Sequence, residues 1–282
     1  MALELMFVTN RVDIAEAAQS AGVDRIFVDM EYIGKSDRQG GMDTVQNMHT
    51  IDDVKALRKV LNKSTLFVRC NPVHDATDNY CSTEEEIDKI IEAGADVIML
   101  PFFQKATQVQ RFVNAVGGRV RTNLLVETPE AVENLDEILE VDGIDEIHIG
   151  LNDLHLGYGM TFMFQLVADG TVERICEKIK KKNISYGFGG VARVGTGTLP
   201  AECVLGEHYR LGSDRVILSR AFCDVAKENT FEDINEKFYT GVRDIREFEN
   251  KVVNTWTKDM HKENHQKTIE CVAQIVEMIK NK

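Results

Sequence analysis

Glu127 and Asp153 are the residues from which chemistry can be argued. Each closes an apolar run of strand length, LLVE and IHIGLND, and a helix-period segment, TPEAVENLDEILE, separates them. A parallel strand–helix–strand crossover sets consecutive strands side by side with their C-terminal ends on one rim. The two carboxylates are then neighbours, and neighbouring carboxylates repel unless a proton or a cation lies between them. A divalent metal is the economical occupant. The competing reading is that each acid is only a cap, Glu127 beside the helix TPEAVENL and Asp153 beside a loop.

Other polar residues end apolar runs in the same way: Asp29, Glu31 and Tyr32, then Arg69 and Asn71, Asn152, Arg193 and Arg220. The strand period of two puts Phe27, Asp29 and Glu31 on one face, and likewise Phe67 with Arg69 and Leu125 with Glu127. Arg69 reads either as a charge for a developing oxyanion or as a salt-bridge partner of Asp29.

The elements that must position these groups alternate along the chain. LELMFVTN, RIFVDMEY, TLFVRCN, DVIMLPFF, VRTNLLVE, EIHIGLN, SYGFGGVAR and RVILSRAF are strand-like, and helix-period segments lie after most of them. Eight such units predict a single α/β domain over 1–282, a (β/α)8 barrel, with a doubly wound open sheet as the alternative. Two further amphipathic helices come last, one through Phe231, Ile234, Phe238, Val242, Ile245, Phe248 and Val252, the other through Ile269, Val272, Ile275, Val276 and Ile279. One can close the barrel. The other has an apolar stripe to bury elsewhere, across the barrel bottom or on a second subunit; the second subunit is the expected partner, so 231–282 is read as a helical extension in a homo-oligomer.

Several functions are argued against. No strand-like run carries the lysine a Schiff-base aldolase needs. GFGGVA resembles a dinucleotide fingerprint, but RVGTGTLP cannot open a helix, so a loop lining the site is expected. The histidines form no HExxH pair, and His148 reads as packed inside a strand. A net charge of -13 over 282 residues disfavours nucleic acid and anionic membranes as partners. Six cysteines without CxxC spacing, and no signal-like or membrane-length apolar run, predict a cytoplasmic protein with reduced thiols.

VDMEY, FVRCNP, ADVIMLP, VET and IGLNDL, in this order over roughly residues 20–160, resemble the metal-dependent class II pyruvate aldolases and citrate lyase β-subunits of the HpcH/HpaI type. The resemblance implies a (β/α)8 barrel, usually oligomeric, with a C-terminal helix exchanged between subunits. It implies Mg²⁺ or Mn²⁺ held by Glu127 and Asp153, and Arg69 beside the oxygen of a small 2-oxo acid. The substrate carboxylate would lie on backbone N–H groups of the turn formed by Gly150, Leu151, Asn152 and Asp153, with Glu31 facing the same ligand. Asp29 would orient Arg69 or a water. One departure stands out: the family histidine after Asp-x-Glu is Tyr32 here, so Tyr32 or a metal-bound water would move the proton. His155 reads either as a loop surface residue or as an imidazole restored to the rim.

The expected activity is carbon–carbon lysis through the enolate of pyruvate or oxaloacetate. A citrate-lyase-like acyl-CoA lyase and a non-catalytic barrel are the alternatives.

Overall fold

The computed structural model describes residues 2–34, 48–225 and 230–281. Strands β1 (Glu4–Val8), β2 (Arg25–Asp29), β3 (Thr65–Arg69), β4 (Val97–Leu100), β5 (Arg121–Val126), β6 (Glu146–Ile149), β7 (Ser185–Val191) and β8 (Arg215–Leu218) pair in parallel, each with the next. β8 returns to pair with β1, Met6 facing Ile217, so the sheet is closed and the open-sheet alternative is excluded. Helices α1 (Val12–Ser20), α2 (Ile51–Val60), α3 (Thr83–Glu92), α4 (Ala106–Val116), α9 (Thr171–Lys181) and α10 (Ala201–Leu211) are the main crossovers. α5 (Pro129–Glu133), α6 (Leu135–Ile138), α7 (Leu151–Gly157) and α8 (Gln165–Ala168) are short, and α11 (Phe231–Thr255) and α12 (Lys258–Lys280) end the chain. None of the described helices is long and apolar enough to cross a membrane.

The barrel interior has three layers, a consequence of the period of two along each strand. Its middle is apolar: Met6, Phe27, Phe67, Val97, Met99 and Leu125 form a core separate from the one between sheet and helices. Below it, at the N-terminal ends of the strands, the Glu146 carboxylate is fully buried among guanidinium groups. Arg25 donates to its Oε2 and Oε1 at 2.5 and 3.0 Å, Asn123 Nδ2 donates at 3.2 Å, and Arg215 and Arg121 complete the clasp. Above the middle layer lies the rim that carries the candidate site.

SYGFGGV forms β7, and the chain from Ala192 to Pro200 that follows it is a loop. A Cβ on Gly187 would collide with the backbone oxygen of Arg215, so glycine is what lets β8 approach. One expectation about the elements needs correction: the segment TPEAVENLDEILE is two short helices rather than one, broken at Asn134 (φ -87°, ψ 9°), whose Nδ2 donates to Gln104 O at 2.9 Å.

Of the C-terminal helices, α11 takes its place in the outer ring between α1 and α10, and α12 lies over α10 and α8 of its own chain. Val272, Ile275 and Thr268 are buried there. Asn264 Nδ2 donates to Cys203 O at 3.1 Å, and His265 Nδ1 lies 3.0 Å from the fully buried Glu207. Gly206 permits this approach, because a Cβ there would collide with Asn264 Nδ2.

Removing the buried acid beneath the core takes away the carboxylate that Arg25, Arg121 and Arg215 share, leaving Glu4 beside Arg25 and Asp214 beside Arg215. Glu146→Gln should lower stability by about 3–5 kcal/mol in urea unfolding. A loss below about 1 kcal/mol would show that the lower layer is not held by this carboxylate.

Candidate active site

The rim is organised by strand register. Asp29 on β2 lies opposite Arg69 on β3, and Arg69 donates from Nε and Nη2 to both oxygens of Asp29, at 2.8 Å each. Its Nη1 is 3.3 Å from Glu31 Oε2, and its guanidinium carbon lies 5.7 Å from the Phe27 ring centroid. The Arg69 side chain retains 14% exposure, whereas Asp29 and Glu31 retain 2% each, so the cation is the most exposed of the three. Burial opposes the charge on Arg69, but Asp29 and Glu31 outweigh it and hold the pKa above that of ordinary arginine. The salt bridge and the oxyanion role considered for Arg69 are therefore not rivals. A bidentate pair fixes the plane of the guanidinium and leaves Nη1 at its open edge.

Neither metal candidate caps a helix. Thr128 caps α5, its Oγ1 accepting from Ala131 N at 3.1 Å. α7 begins after Gly150, which places Asp153 inside its first turn, where the helix dipole favours an acid. Glu127 is buried, and its Oε1 accepts from the backbone N–H of Phe102 at 3.0 Å. Phe102 holds φ at 48°, a left-handed conformation rare for an aromatic residue. The absence of a side chain at Gly150 makes room for Glu127, since a Cβ there would stand 2.8 Å from Glu127 Cβ and 3.0 Å from Oε2. Burial, then the charges of Glu31 and Asp153, push the Glu127 carboxyl well above its usual pKa, against the opposing pull of Arg69.

This donor set fits a divalent cation. It holds two carboxylates in each other's field, with a cradle at Gly150 and more negative than positive charge. Among the described residues no group of three or more His, Cys, Asp or Glu side chains is arranged around one point. A site built from two carboxylates and completed by water is the pattern of Mg²⁺ rather than of a protein cage.

Three further groups set the rim, and only one of them stood out in the sequence. Asn71 latches the chain after β2, its Oδ1 accepting from the N–H groups of Tyr32 and Ile33 at 2.8 and 2.9 Å while Nδ2 donates to Glu86 at 2.8 Å. Glu86 gave no signal, because it lies in a run of acids that reads as a solvated helix start. His49 also gave none. The β1–β2 ladder ends with Thr9 N donating to Phe27 O, and His49 Nδ1 takes the next rung by accepting from Asp29 N at 3.0 Å.

Tyr32, His155 and the turn at Gly150 complete the set of candidates. The Tyr32 phenol is pushed up to about 12 by burial and by Asp29, so at neutral pH it can donate a proton but not accept one. His155 is not a loop surface residue: it is buried, with Nδ1 against Leu151 O at 3.2 Å and against Asn152 O. The N–H of Gly150 is engaged by Val126 O at 2.9 Å. That N–H is therefore taken up by the sheet, while Leu151 and Asn152 open α7.

Residues 4–186 match the HpcH/HpaI aldolase/citrate lyase family. A relative named hydroxypyruvate/pyruvate aldolase, from Rhizorhabdus wittichii, is 30% identical over a stretch covering 39% of this chain and 57% of that protein. The chain thus spans somewhat more than half of that relative's length. Among solved structures, an HpcH/HpaI aldolase from Desulfitobacterium hafniense DCB-2 superposes with a TM-score of 0.59 at 17% identity, over 87% of this chain and 93% of that one. An aldolase/citrate lyase family protein from Burkholderia cenocepacia J2315 gives 0.60 at 14%, over 83% and 95%. Citrate synthase SbnG gives 0.58 at 16%, over 78% and 87%. At these identities the structural likeness is one of fold.

The raised pKa of Glu127 has a sign that can be measured in metal-free protein. Its contribution to stability is complete below the ordinary glutamate value of 4.5 and is lost as pH rises through the higher folded value. Glu127→Gln, isosteric with the protonated acid, should therefore unfold at a higher temperature than wild type in chelator, with a gap that widens as pH rises from 5 to 8. Parallel melting profiles for the two proteins would contradict the raised pKa.

Proposed function

The chain belongs to the HpcH/HpaI aldolase/citrate lyase family, and from that premise we propose that it is a carbon–carbon lyase acting through the enolate of a 2-oxo acid such as pyruvate or oxaloacetate. The observation that carries the reading is Arg69, held in one plane by Asp29 and Glu31 on the rim shared with Glu127. None of the described strands carries a lysine that could form a Schiff base, which favours stabilising the enolate by charge rather than by covalent attachment.

Glu127 and Asp153 would hold Mg²⁺ or Mn²⁺. When bound, the cation polarises the 2-oxo oxygen and offsets the charge that develops there. Arg69 does the same from the protein side, offering Nη1 to the enolate oxygen without reorganising during the reaction. Asp29 and Glu31 keep it charged and oriented. Leu151 and Asn152 present first-turn N–H groups of α7 to the substrate carboxylate, and the helix dipole adds to the attraction. In oxaloacetate decarboxylation the bond to the departing carboxylate breaks, carbon dioxide leaves, and its electron pair forms the pyruvate enolate, which then takes a proton. No base removes a proton in that sequence. In aldol addition the acceptor oxygen must gain a proton, and the Tyr32 hydroxyl, protonated throughout the neutral range, is suited to supply it.

A homo-oligomer remains part of this reading. With the α12 stripe covered within the chain, the support passes to residues left exposed on the last two helices, Val253 at 58%, Met278 at 57% and Ile279 at 41%. Light scattering should give a mass above that of one chain, and Met278→Glu with Ile279→Lys should lower it. A wild-type protein that scatters as a monomer would remove the oligomer from the proposal.

Arg69→Ala should reduce metal-dependent oxaloacetate decarboxylation by a factor on the order of a hundred, since the oxyanion loses its charged partner. Tyr32→Phe should spare decarboxylation and impair aldol addition. If oxaloacetate decays no faster with protein and Mg²⁺ than with Mg²⁺ alone, the enolate reading fails, and an acyl-CoA lyase or a non-catalytic barrel takes its place.

A further inference from the structure

Arg193 lies just past β7 at its C-terminal end, on the side of the barrel where Glu127 ends β5 and Arg69 ends β3. Its setting is the opposite of that of Arg69. Nε is buried and has no hydrogen-bond partner, and the guanidinium joins no ion pair among the described residues. Arginines elsewhere, such as Arg25, Arg111, Arg210 and Arg246, are all matched with carboxylates. In a chain of net charge -13, a rim cation with no acid partner among the described residues stands out.

The residue is also held in place. Its stem lies along α11 beside Phe222 of the loop after β8: a Cβ on Gly241 would stand 3.5 Å from Arg193 Cγ and 2.6 Å from Phe222 Cζ. Its backbone oxygen accepts from Thr196 N at 2.9 Å and Thr196 Oγ1 at 2.8 Å, and Gly195 N donates to Glu202 at 3.1 Å, which closes the turn. The guanidinium therefore belongs to the region between the loops after β7 and β8, where (β/α)8 barrels commonly bind anionic groups. A partly buried guanidinium with no internal partner is stabilised by an external oxyanion, carboxylate or phosphate, through charge-assisted hydrogen bonds.

We propose that Arg193 receives an oxyanion borne by the acceptor half of the substrate, and so selects acceptor aldehydes carrying a carboxylate or phosphate. The proposal rests on the lyase reading above for the word acceptor, but the oxyanion site itself does not. Arg69 cannot serve both ends, because it is committed to Asp29, Glu31 and the enolate oxygen. The charge of Arg193 would instead hold the acceptor's far end while its carbonyl carbon meets the enolate.

Two measurements decide it. In the first, pyruvate addition is assayed with glyoxylate and succinic semialdehyde, with glyceraldehyde 3-phosphate, and with uncharged propionaldehyde. The ratio of kcat/KM for the preferred charged acceptor over propionaldehyde should fall on the order of thirtyfold in Arg193→Gln and recover in part in Arg193→Lys. The acceptor that loses most identifies the oxyanion as carboxylate or phosphate. A ratio that stays within about twofold of wild type overturns the proposal, as does an equal loss on charged and uncharged acceptors. In the second, phenylglyoxal modification of Arg193 in the Mg²⁺-loaded protein is monitored by peptide mass spectrometry, with succinate or inorganic phosphate against the neutral analogue succinamide. Protection by an anion and not by succinamide is expected, and its absence refutes the site even where aldol addition is observed. Protection without any aldol or decarboxylase turnover would sustain the oxyanion site and reject the lyase reading.

Discussion

A single guanidinium among acids governs the rim. Arg69 carries charge at the mouth of a barrel where Asp29, Glu31 and Glu127 would otherwise repel one another, and its 2.8 Å contacts to both oxygens of Asp29 fix its orientation. That contact depends on the parallel register that sets Asp29 opposite Arg69, and the register depends in turn on closure of the sheet. Around it the negative charge is still in excess, which raises the pKa of Glu127 and makes the rim receptive to a further cation.

The far end of the barrel uses the inverse arrangement. There one carboxylate, Glu146, is enclosed by Arg25, Arg121 and Arg215, and an apolar layer of Phe27, Phe67, Met99 and Leu125 separates the two charged ends. The lower cluster lies at the strand starts, away from the loops of the rim, and its charges serve packing. The upper cluster opens towards those loops, so its electrostatics are available to a ligand. Ordering charge at both ends of an apolar plug costs solvation that only near-complete pairing offsets. Arg69 and Glu146 meet that demand within the protein. Arg193 does not.

Backbone devices refine the rim where side chains alone would leave it loose. Phe102, at φ 48°, turns its N–H onto Glu127, and Gly150 withholds a Cβ from the space beside the same carboxylate. Asn71 and His49 fasten the two sides of the β2 terminus, one through the N–H groups of Tyr32 and Ile33 and the other through that of Asp29. Such outer supports restrict the motion of groups that must meet a substrate within fractions of an ångström.

The sequence by itself determined the barrel and the rim acids, because both arise from local rules. Strand-length apolar runs alternate with helical ones, and a period of two puts Asp29, Arg69 and Glu127 on inward faces. The crossover between LLVE and IHIGLN sets the ends of β5 and β6 side by side, and the turn at Gly150 then carries Asp153 into α7. Only the tertiary structure decided the rest, where the partner is distant in sequence or is backbone. Glu146 looked like an ordinary strand-start acid until three arginines from β2, β5 and β8 closed around it. The run SYGFGGVAR reads as a strand, but the reason for its glycines lies across the sheet, at the backbone of Arg215. The stripe on α12 fits another subunit and its own barrel equally well in a linear pattern, and Gly206, which lets Asn264 reach Cys203 on α10, has its reason only in the folded chain. His49 and Phe102 act through a ring nitrogen and a backbone N–H, which have no periodicity and leave no mark on composition.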